Sequence, residues 1–172
     1  HTAANGLPLG AETNDKFRKY IYLDSGLLLR ILDLDFGGAN ELTSLIITGA
    51  AEDLVNKGGL AELVLGCELV KYGSSRIRHD LFYWENVGEG TTSEVDYIVA
   101  HQMKVLPIEC KAGTSGKMKS LRLFMRNKHI SHAIRCSLEN FSQLVFQDEK
   151  ESGESKYIRI CPLYAVSSIA NL

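Results

Sequence analysis

Residues 93–113 read SEVDYIVAHQMKVLPIECKAG, and this stretch decides the fold. Its two halves, Glu94–Ala100 and Lys104–Lys111, are rich in the β-branched and aromatic residues that favour strands. The few residues between them are enough for a hairpin turn. The pattern therefore predicts two neighbouring antiparallel strands.

The turn determines which side chains face one another. Whether it is taken as residues 101–104 or as 102 and 103 alone, Ala100 pairs with Val105, so Asp96 lies opposite Glu109. Directly paired side chains have Cβ atoms about 4.5–5.5 Å apart. Lys111 shares the face of Glu109 because side chains alternate along a strand. A one-residue slip would send Asp96 to the opposite face. That opposite face is expected to carry Val95, Tyr97 and Val99.

The predicted cluster of Asp96, Glu109 and Lys111 has a composition suited to a metal ion. Two carboxylates held close together repel each other unless a cation or a proton intervenes. Mg²⁺ takes oxygen ligands and often uses one or two carboxylates, which leaves positions for water and phosphate. Lys111 could neutralise charge, orient a water molecule or stabilise a phosphoryl transition state. Spacing alone leaves a second interpretation open, in which the three residues form a surface ion-pair cluster.

Periodicity and turn residues predict the other elements. In chain order they are strand Lys19–Asp24, helix Gly26–Leu32 with Ser25 as its cap, helix Glu41–Asn56, helix Leu60–Tyr72 after a break at Gly58–Gly59, strand Leu81–Glu85, helix Lys119–Lys128, strand Ala133–Ser137 and strand Tyr157–Cys161. The Leu60–Tyr72 helix is expected to bury Leu60, Leu63, Val64, Cys67 and Val70. The Lys119–Lys128 helix is expected to bury Leu121, Phe124 and Met125. The fold class is therefore α+β (α/β), a mixed central sheet flanked by helices, with an extra N-terminal helical and strand segment.

Composition fits one soluble domain. The chain has 172 residues, of which 45% are hydrophobic and 23% charged, and it has no apolar run long enough to cross a membrane. Its four cysteines are widely spaced within apolar stretches, which favours reduced core thiols in a cytoplasmic protein. Residues 1–16 are expected to be a linker or arm from an upstream region, and residues 17–172 the domain itself.

Positive charge is concentrated in one part of the chain. Residues 101–135 carry eight lysines and arginines and one acid, so this part has a net charge of +7 in a chain of net charge −2. Such a distribution favours a phosphate-bearing partner, although a solvated helix face would look the same. The residues expected to contact phosphate are Lys117, Lys119, Ser120 and Arg122. Ser120 and Lys119 begin a predicted helix, whose N-terminus attracts anions.

The runs Ser93–Val99 and Val105–Gly113 resemble the core motif of PD-(D/E)xK nuclease-like domains. The chain also resembles, more narrowly, the uncharacterised domain found C-terminal to AAA+-type ATPase modules in bacteria and archaea. The matching pieces extend over most of residues 17–166 and include Lys19–Leu27, Gly58–Val64, Glu68–Leu69, Phe82–Trp84, Lys119–Leu121 and Pro162–Tyr164.

The resemblance implies a restriction-endonuclease-like αβββαβ core and a site built from Glu62, Asp96, Glu109 and Lys111. Asp96 and Glu109 would hold Mg²⁺, with Mn²⁺ as a substitute, and Glu62 would complete the site. Glu62 could equally be a first-turn acid favoured by the helix dipole. No ATP site is expected, because Gly113–Ser120 lacks the Walker A residues. ATP binding would belong to an upstream module of the same chain.

Three functions follow from these observations. The first is a Mg²⁺-dependent nuclease that cuts DNA. The second is a non-catalytic module that binds nucleic acid or protein for the attached ATPase. The third is a structural role in forming an oligomer or regulating the ATPase, for which the sequence offers no specific sign.

Overall fold

The computed structural model describes residues 7–14, 16–31, 57–71, 80–88, 91–114, 116–147 and 153–171. Its helices are α1 (Ser25–Ile31), α2 (Lys57–Lys71) and α3 (Lys119–Asn127). Its strands are β1 (Phe82–Gly88), β2 (Thr91–His101), β3 (Lys104–Cys110), β4 (His132–Ser137), β5 (Ser142–Gln147) and β6 (Ser155–Pro162). Short 3-10 segments cover Leu9–Glu12 and Leu163–Asn171. The predicted helix Glu41–Asn56 lies outside the described residues.

The strands form one mixed sheet in the order β1-β2-β3-β4-β6-β5. β1, β2 and β3 are antiparallel neighbours, β4 runs parallel to both β3 and β6, and β5 closes the edge antiparallel to β6. The predicted order of helix, three strands, helix and strand is therefore present, and the α+β class with a mixed sheet is confirmed. β5 is an addition that the sequence did not predict. Its residues are exposed except for a half-buried Phe146, so the strand lacks a clear alternation of apolar and polar residues.

The predicted register of the β2–β3 hairpin is confirmed. Ala100 pairs with Val105 and His101 pairs with Lys104, so only two residues form the turn. Those residues are Gln102 and Met103, with φ of 48° and 60°. Positive φ at both central positions is what a two-residue type I′ turn requires. The turn thus adopts a left-handed conformation without the Asn-Gly signal that usually announces it.

A β-bulge interrupts β2 beside Asp96. Phe82 pairs with Ile98 while Trp84 pairs with Val95, so β2 has one more residue than β1 between these pairs. Such a bulge breaks the alternation of side chains. Val95 accordingly packs in the same buried cluster as Ile98 and Trp84, whereas Tyr97 packs in a different cluster. The prediction that Val95 and Tyr97 share a face is therefore wrong.

The two faces of the sheet are covered by different helices. α3 buries Leu121, Phe124 and Met125 as predicted, and the Phe124 ring meets Trp84 edge to face at 5.2 Å. α2 packs on the opposite face, where Ala61 and Leu65 join the cluster that contains Tyr97.

The buried face of α2 differs from the predicted one. Its buried residues are Leu60, Ala61, Leu63, Leu65 and Gly66. Val64 and Cys67 are half-buried and Val70 is 48% exposed. The helix meets the sheet through its small residues: a Cβ on Gly66 would lie 2.4 Å from the Tyr97 hydroxyl oxygen. Apolar periodicity missed this close approach because it gives no weight to Ala or Gly. α2 also begins at Lys57, so Gly58 and Gly59 belong to its first turn and do not break it.

The N-terminal segment contains a helix but not the predicted strand. Residues 17–22 have no regular secondary structure, so the strand predicted at Lys19–Asp24 is wrong. α1 is present, but Asp24 caps it in place of Ser25, since its Oδ1 accepts from the Leu27 N–H at 3.0 Å. Leu9, within the stretch expected to be an arm, is only 9% exposed and packs in the cluster of Trp84. Among the described helices, none is long and apolar enough to span a membrane.

Candidate functional site

Asp96 lies at the β-bulge of β2, next to the last residue pair of the β2–β3 hairpin. The confirmed pairs end at Tyr97 with Ile108, and the same register continued by one residue sets Asp96 across from Glu109. The Cys110 N–H donates to Asp96 Oδ2 at 2.7 Å and so fixes the carboxylate against β3. Burial, followed by the charges of Glu109 and Glu62, raises the pKa of Asp96 from 3.8 to about 7. Ionising this carboxylate at neutral pH therefore costs free energy, and a further positive charge beside it would reduce that cost.

Glu109 is more deeply buried, at 5% exposure. Its Oε1 accepts from Lys111 Nζ at 2.5 Å. Its Oε2 is buried and has no hydrogen-bond partner among the described residues. Burial raises the pKa of Glu109, and the bond from Lys111 only partly opposes that rise. A buried carboxylate oxygen without a donor is costly, and a cation would relieve that cost.

Glu62 joins this cluster as the resemblance implied, and two further residues join it that the sequence had not singled out. One ligand oxygen each of Glu62, Glu94 and Asp96 lies within 4.8 Å of the others. The ammonium of Lys19 lies among them. It contacts Glu62 Oε1 at 2.5 Å, forms an ion pair with Glu94 and lies 4.0 Å from Asp96 Oδ1. It also lies over the Tyr83 ring, 5.1 Å from the centroid.

The electrostatics of Lys19 show that it serves as a counter-ion. Burial lowers its pKa, but the hydrogen bonds to Glu62 and Glu94 outweigh that effect, so the pKa is raised overall. Glu94 could have been found from the sequence, since it precedes Asp96 by two residues on one strand. Lys19 could not have been found, because it lies in an irregular segment far away in sequence.

Glu62 is positioned by the packing of α2 on the sheet. The Tyr97 hydroxyl donates to the backbone oxygen of Glu62 at 2.9 Å. Tyr97 follows Asp96 directly, so the bond ties the helix to the bulged strand next to the carboxylate. The close contact at Gly66 brings the same helix against the same ring. Together these contacts direct the Glu62 carboxylate toward Lys19.

Lys111 is held at the end of β3 by its backbone and by the loop that follows. Its N–H donates to the Cys136 oxygen at 2.8 Å. Gly116, with φ of 147°, lies against its alkyl chain, where a Cβ would be 3.1 Å from Lys111 Cδ. Burial lowers the pKa of Lys111, but Glu109 raises it more, so the pKa is raised overall. Lys111 is therefore an ammonium group and a source of positive charge, not a general base.

Arg135 supports this loop from beneath. It is only 4% exposed, and its Nη2 donates to the Thr114 oxygen at 3.2 Å. The same nitrogen pairs with Glu139 Oε2 at 3.1 Å. The sequence had indicated Arg135 only as the last residue of the basic stretch 101–135, and the resemblance had not pointed to it. Its place on β4, next to β3, lets it hold the loop beside Lys111.

The four residues expected to contact phosphate are not all in one place. Lys117 follows Gly116, which lies against the Lys111 side chain, and both Lys117 and Lys119 are exposed. Ser120 is half-buried in the first turn of α3, whose first turn contains no acidic residue. Arg122 stacks over the Phe146 ring of β5, 4.5 Å from its centroid.

The position of Arg122 separates it from the carboxylates. β5 is three strands beyond β3 in the sheet, which is about 14 Å at the usual strand spacing. The structure therefore brings Glu62, Asp96, Glu109 and Lys111 together. Lys117 follows the glycine that lies against Lys111. Arg122 instead lies toward the β5 edge of the sheet.

Comparison with known proteins gives a family and nothing finer. The family model described as Domain of unknown function (DUF4143) matches residues 57–165, which is more than half of the 172 residues and includes α2 and the six strands of the described part of the chain. No curated protein matches the chain, and no solved structure matches it. The chain belongs to the family described as Domain of unknown function (DUF4143).

Proposed function

We propose that this domain is a metal-dependent nuclease that hydrolyses phosphodiester bonds in DNA. The observation that carries the proposal is the juxtaposition of Asp96 and Glu109. Oε2 of Glu109 is buried and has no hydrogen-bond partner among the described residues. Oε1 of Glu109 accepts a hydrogen bond from the Lys111 ammonium. The resemblance to PD-(D/E)xK nuclease-like domains supports it, since the order of elements agrees with a restriction-endonuclease-like αβββαβ core.

The residues of the cluster fit Mg²⁺, or Mn²⁺ in its place. All candidate ligands are carboxylate oxygens, which hard cations prefer. Asp96 and Glu109 would hold the ion, and Glu62 lies close enough to Asp96 to assist. Burial, followed by the charges of Glu109 and Glu62, raises the pKa of Asp96, and a bound cation would favour its ionised form. A bound Mg²⁺ would supply Lewis-acid activation of water and of a phosphoryl oxygen.

The other residues would act on the substrate. Lys111 keeps a positive charge beside Glu109 and would offset the charge that develops on a phosphoryl group. The loop that Arg135 supports would present Lys117, and the start of α3 would present Lys119 and Ser120, to the phosphate backbone. These residues would contact phosphate groups and not base edges, so the proposal carries no sequence preference.

The resemblance to the domain that follows AAA+-type ATPase modules suggests a setting for this activity. An upstream ATPase in the same chain would bind and hydrolyse ATP, and the domain described here would act on the DNA. This arrangement is part of the proposal, since the family match names no activity.

The direct test is cleavage of a labelled DNA duplex in Mg²⁺ by the wild-type protein and by Lys111→Ala. We expect the variant to lose about 100-fold or more in rate, the scale for removing one preorganised charge at a reacting centre. Mn²⁺ binding should remain, because Asp96 and Glu109 are intact. Lys71→Ala, an exposed lysine on α2, is the matched control and should cleave normally. Unchanged cleavage by Lys111→Ala would show that the activity comes from elsewhere.

A second function is favoured by one observation, the position of Lys19. Its ammonium already lies among Glu62, Glu94 and Asp96, so the cluster is partly neutral without a metal. In this alternative the domain binds nucleic acid or a partner protein for the ATPase and does not cleave. DNA binding without divalent ions should then weaken steeply with salt and be reduced in Lys117→Glu/Lys119→Glu. An association that is insensitive to salt would point to a protein partner.

A further inference from the structure

β5 is an edge strand that lacks the features by which sheet edges are kept from pairing. It is the last strand of the sheet, and within the described part of the chain only β6 pairs with it. Natural sheets protect such edges with charged side chains, prolines, bulges or a covering element. β5 reads SQLVFQ, without a charge, a proline or a glycine, and five of its six residues are exposed. Its pairing with β6 runs from Ser142 to Gln147 without a bulge.

The opposite edge of the sheet is protected in two of these ways. β1 carries the charged Glu85 in the middle of the strand. Its pairing with β2 is interrupted by the bulge between Phe82 and Trp84, which increases the local twist. β5 is therefore the edge that is open to another strand.

The side chains of β5 add apolar surface to this open edge. Val145 is 57% exposed and Leu144 is 37% exposed, and Phe141 just before the strand is 53% exposed. Phe146 is half-buried, with the Arg122 guanidinium over its ring. Contacts between β-branched and aromatic side chains on neighbouring strands stabilise a sheet. A strand added to this edge would thus gain side-chain contacts as well as backbone hydrogen bonds.

The sequence of β5 is complementary to itself in one antiparallel register. Two copies related by a twofold axis perpendicular to the sheet pair residues whose numbers have an even sum, because directly opposite side chains share a face. With Val145 on the axis, Leu144 lies opposite Phe146 of the second copy. Gln143 then lies opposite Gln147 of the second copy. Apolar side chains therefore face apolar ones, and amides face amides, over residues 143–147.

The neighbouring twofold registers lose this match. With Leu144 on the axis, Gln143 lies opposite Val145 of the second copy. With Phe146 on the axis, Val145 lies opposite Gln147. Each of these arrangements sets an amide against an apolar side chain, and so the register centred on Val145 is favoured. This internal match favours a second copy of the chain over an unrelated strand as the partner.

We propose that the protein forms a homodimer by antiparallel pairing of β5 with β5 of a second copy, centred on Val145. Pairing over residues 143–147 supplies about four to six backbone hydrogen bonds. The interface is small, and small interfaces give weak, reversible complexes, so we expect a dissociation constant on the order of 10 µM. β5 lies three strands from β3, so the dimer leaves both carboxylate clusters uncovered and does not rest on the nuclease proposal.

Sedimentation velocity of the whole chain in EDTA tests the dimer. The wild-type protein should change from monomer to dimer between about 2 and 200 µM. Val145→Lys sets two like charges opposite each other on the axis and should weaken the association about tenfold or more. Val70→Lys makes the same change at an exposed valine of α2 and should keep the dissociation constant within about twofold of wild type. Far-UV circular dichroism should be the same for all three proteins, since both valines are exposed.

Four outcomes of the sedimentation experiment would overturn the proposal. The first is a wild-type protein that stays monomeric at about 200 µM. The second is equal weakening in both variants, which would place the contact elsewhere. The third is growth of species larger than a dimer, which an interface closed by a twofold axis does not allow. The fourth is an association that weakens steeply with salt, because paired β5 strands contain no ion pair.

Cross-linking tests the register of the two strands. In Val145→Cys the two new thiols lie opposite each other on the axis, and a short thiol cross-linker should join the dimer. In Gln143→Cys they lie about 14 Å apart along the strands, beyond the reach of the same reagent. The wild-type protein gives the background from its own cysteines, of which Cys67 is half-buried and the others are buried. Equal yields from the two variants would overturn the pairing centred on Val145.

Discussion

The raised pKa of Asp96 makes a prediction about the stability of the metal-free protein. The pKa of this carboxyl is about 7 in the folded chain against an ordinary value of 3.8. The folded state therefore holds the proton more tightly than the unfolded state does. The cost of ionising Asp96 is fully present above about pH 7, shrinks as the pH falls from 7 to 4, and is absent below that range.

The size of the effect follows from the two pKa values. One pKa unit corresponds to about 1.4 kcal/mol, so the cost approaches about 4 kcal/mol at pH 8 and about 1–2 kcal/mol at pH 5. Asp96→Asn removes the charge and keeps an oxygen that can accept from the Cys110 N–H. The variant should therefore be more stable than wild type by about 2–4 kcal/mol at pH 8. The expected gain is smaller than the full cost of ionisation because Lys19 loses one of its carboxylate neighbours in the variant.

Urea unfolding in EDTA at pH 4, 5 and 8 measures this difference. Trp84, 8% exposed in the folded chain, is the single tryptophan and gives the fluorescence signal. The gain of Asp96→Asn should shrink from pH 8 to pH 5 and vanish near pH 4. Glu154→Gln, at an exposed turn, is the control and should show no such trend. A gain that is absent at pH 8, or that does not change with pH, would refute the reasoning.

Two further predictions concern the residues around Asp96. Lys19→Gln should bind Mn²⁺ about tenfold more tightly than wild type by calorimetry, because the ammonium no longer competes for the carboxylates. Lys16→Gln, a change at an exposed lysine, should leave the Mn²⁺ affinity unchanged. Equal Mn²⁺ affinities in the wild type and both variants would contradict competition by Lys19. Gly66→Ala should lower the free energy of unfolding by about 1–3 kcal/mol, since its Cβ would lie 2.4 Å from the Tyr97 hydroxyl oxygen. Gly59→Ala, with nothing within 4 Å of its Cβ, should be neutral or slightly stabilising in urea unfolding, and equal effects at the two glycines would argue against the close contact.

The local part of the site could be predicted from the sequence because a hairpin is a short-range structure. The number of residues in the turn determines the pairing of Ala100 with Val105, and the pairing determines the neighbours of Asp96. The same reasoning could not predict the bulge at Asp96, because the extra residue of β2 is apparent only against β1. The alternation that had been assumed for Val95 and Tyr97 fails there for that reason.

The long-range part of the site was beyond sequence reasoning. Lys19 reaches the carboxylates from an irregular segment whose composition had suggested a strand. Glu62 was expected only through the resemblance, and its direction depends on the contact of Gly66 with Tyr97, which no apolar pattern records. β5 was missed because an exposed edge strand has little alternation to detect. In each case the decisive contact joins residues that are far apart in the chain.

Anomalous diffraction from crystals of this domain soaked in Mn²⁺ tests the central claim most directly. We expect a single strong peak bonded to carboxylate oxygens of Asp96 and Glu109, including the buried Oε2 of Glu109 that has no hydrogen-bond partner among the described residues. Lys19 should be displaced from Asp96 in the same crystals. Absence of a peak at millimolar Mn²⁺, with the Lys19 ammonium still among Glu62, Glu94 and Asp96, would show that the cluster is a self-neutralised ion-pair network and not a metal site.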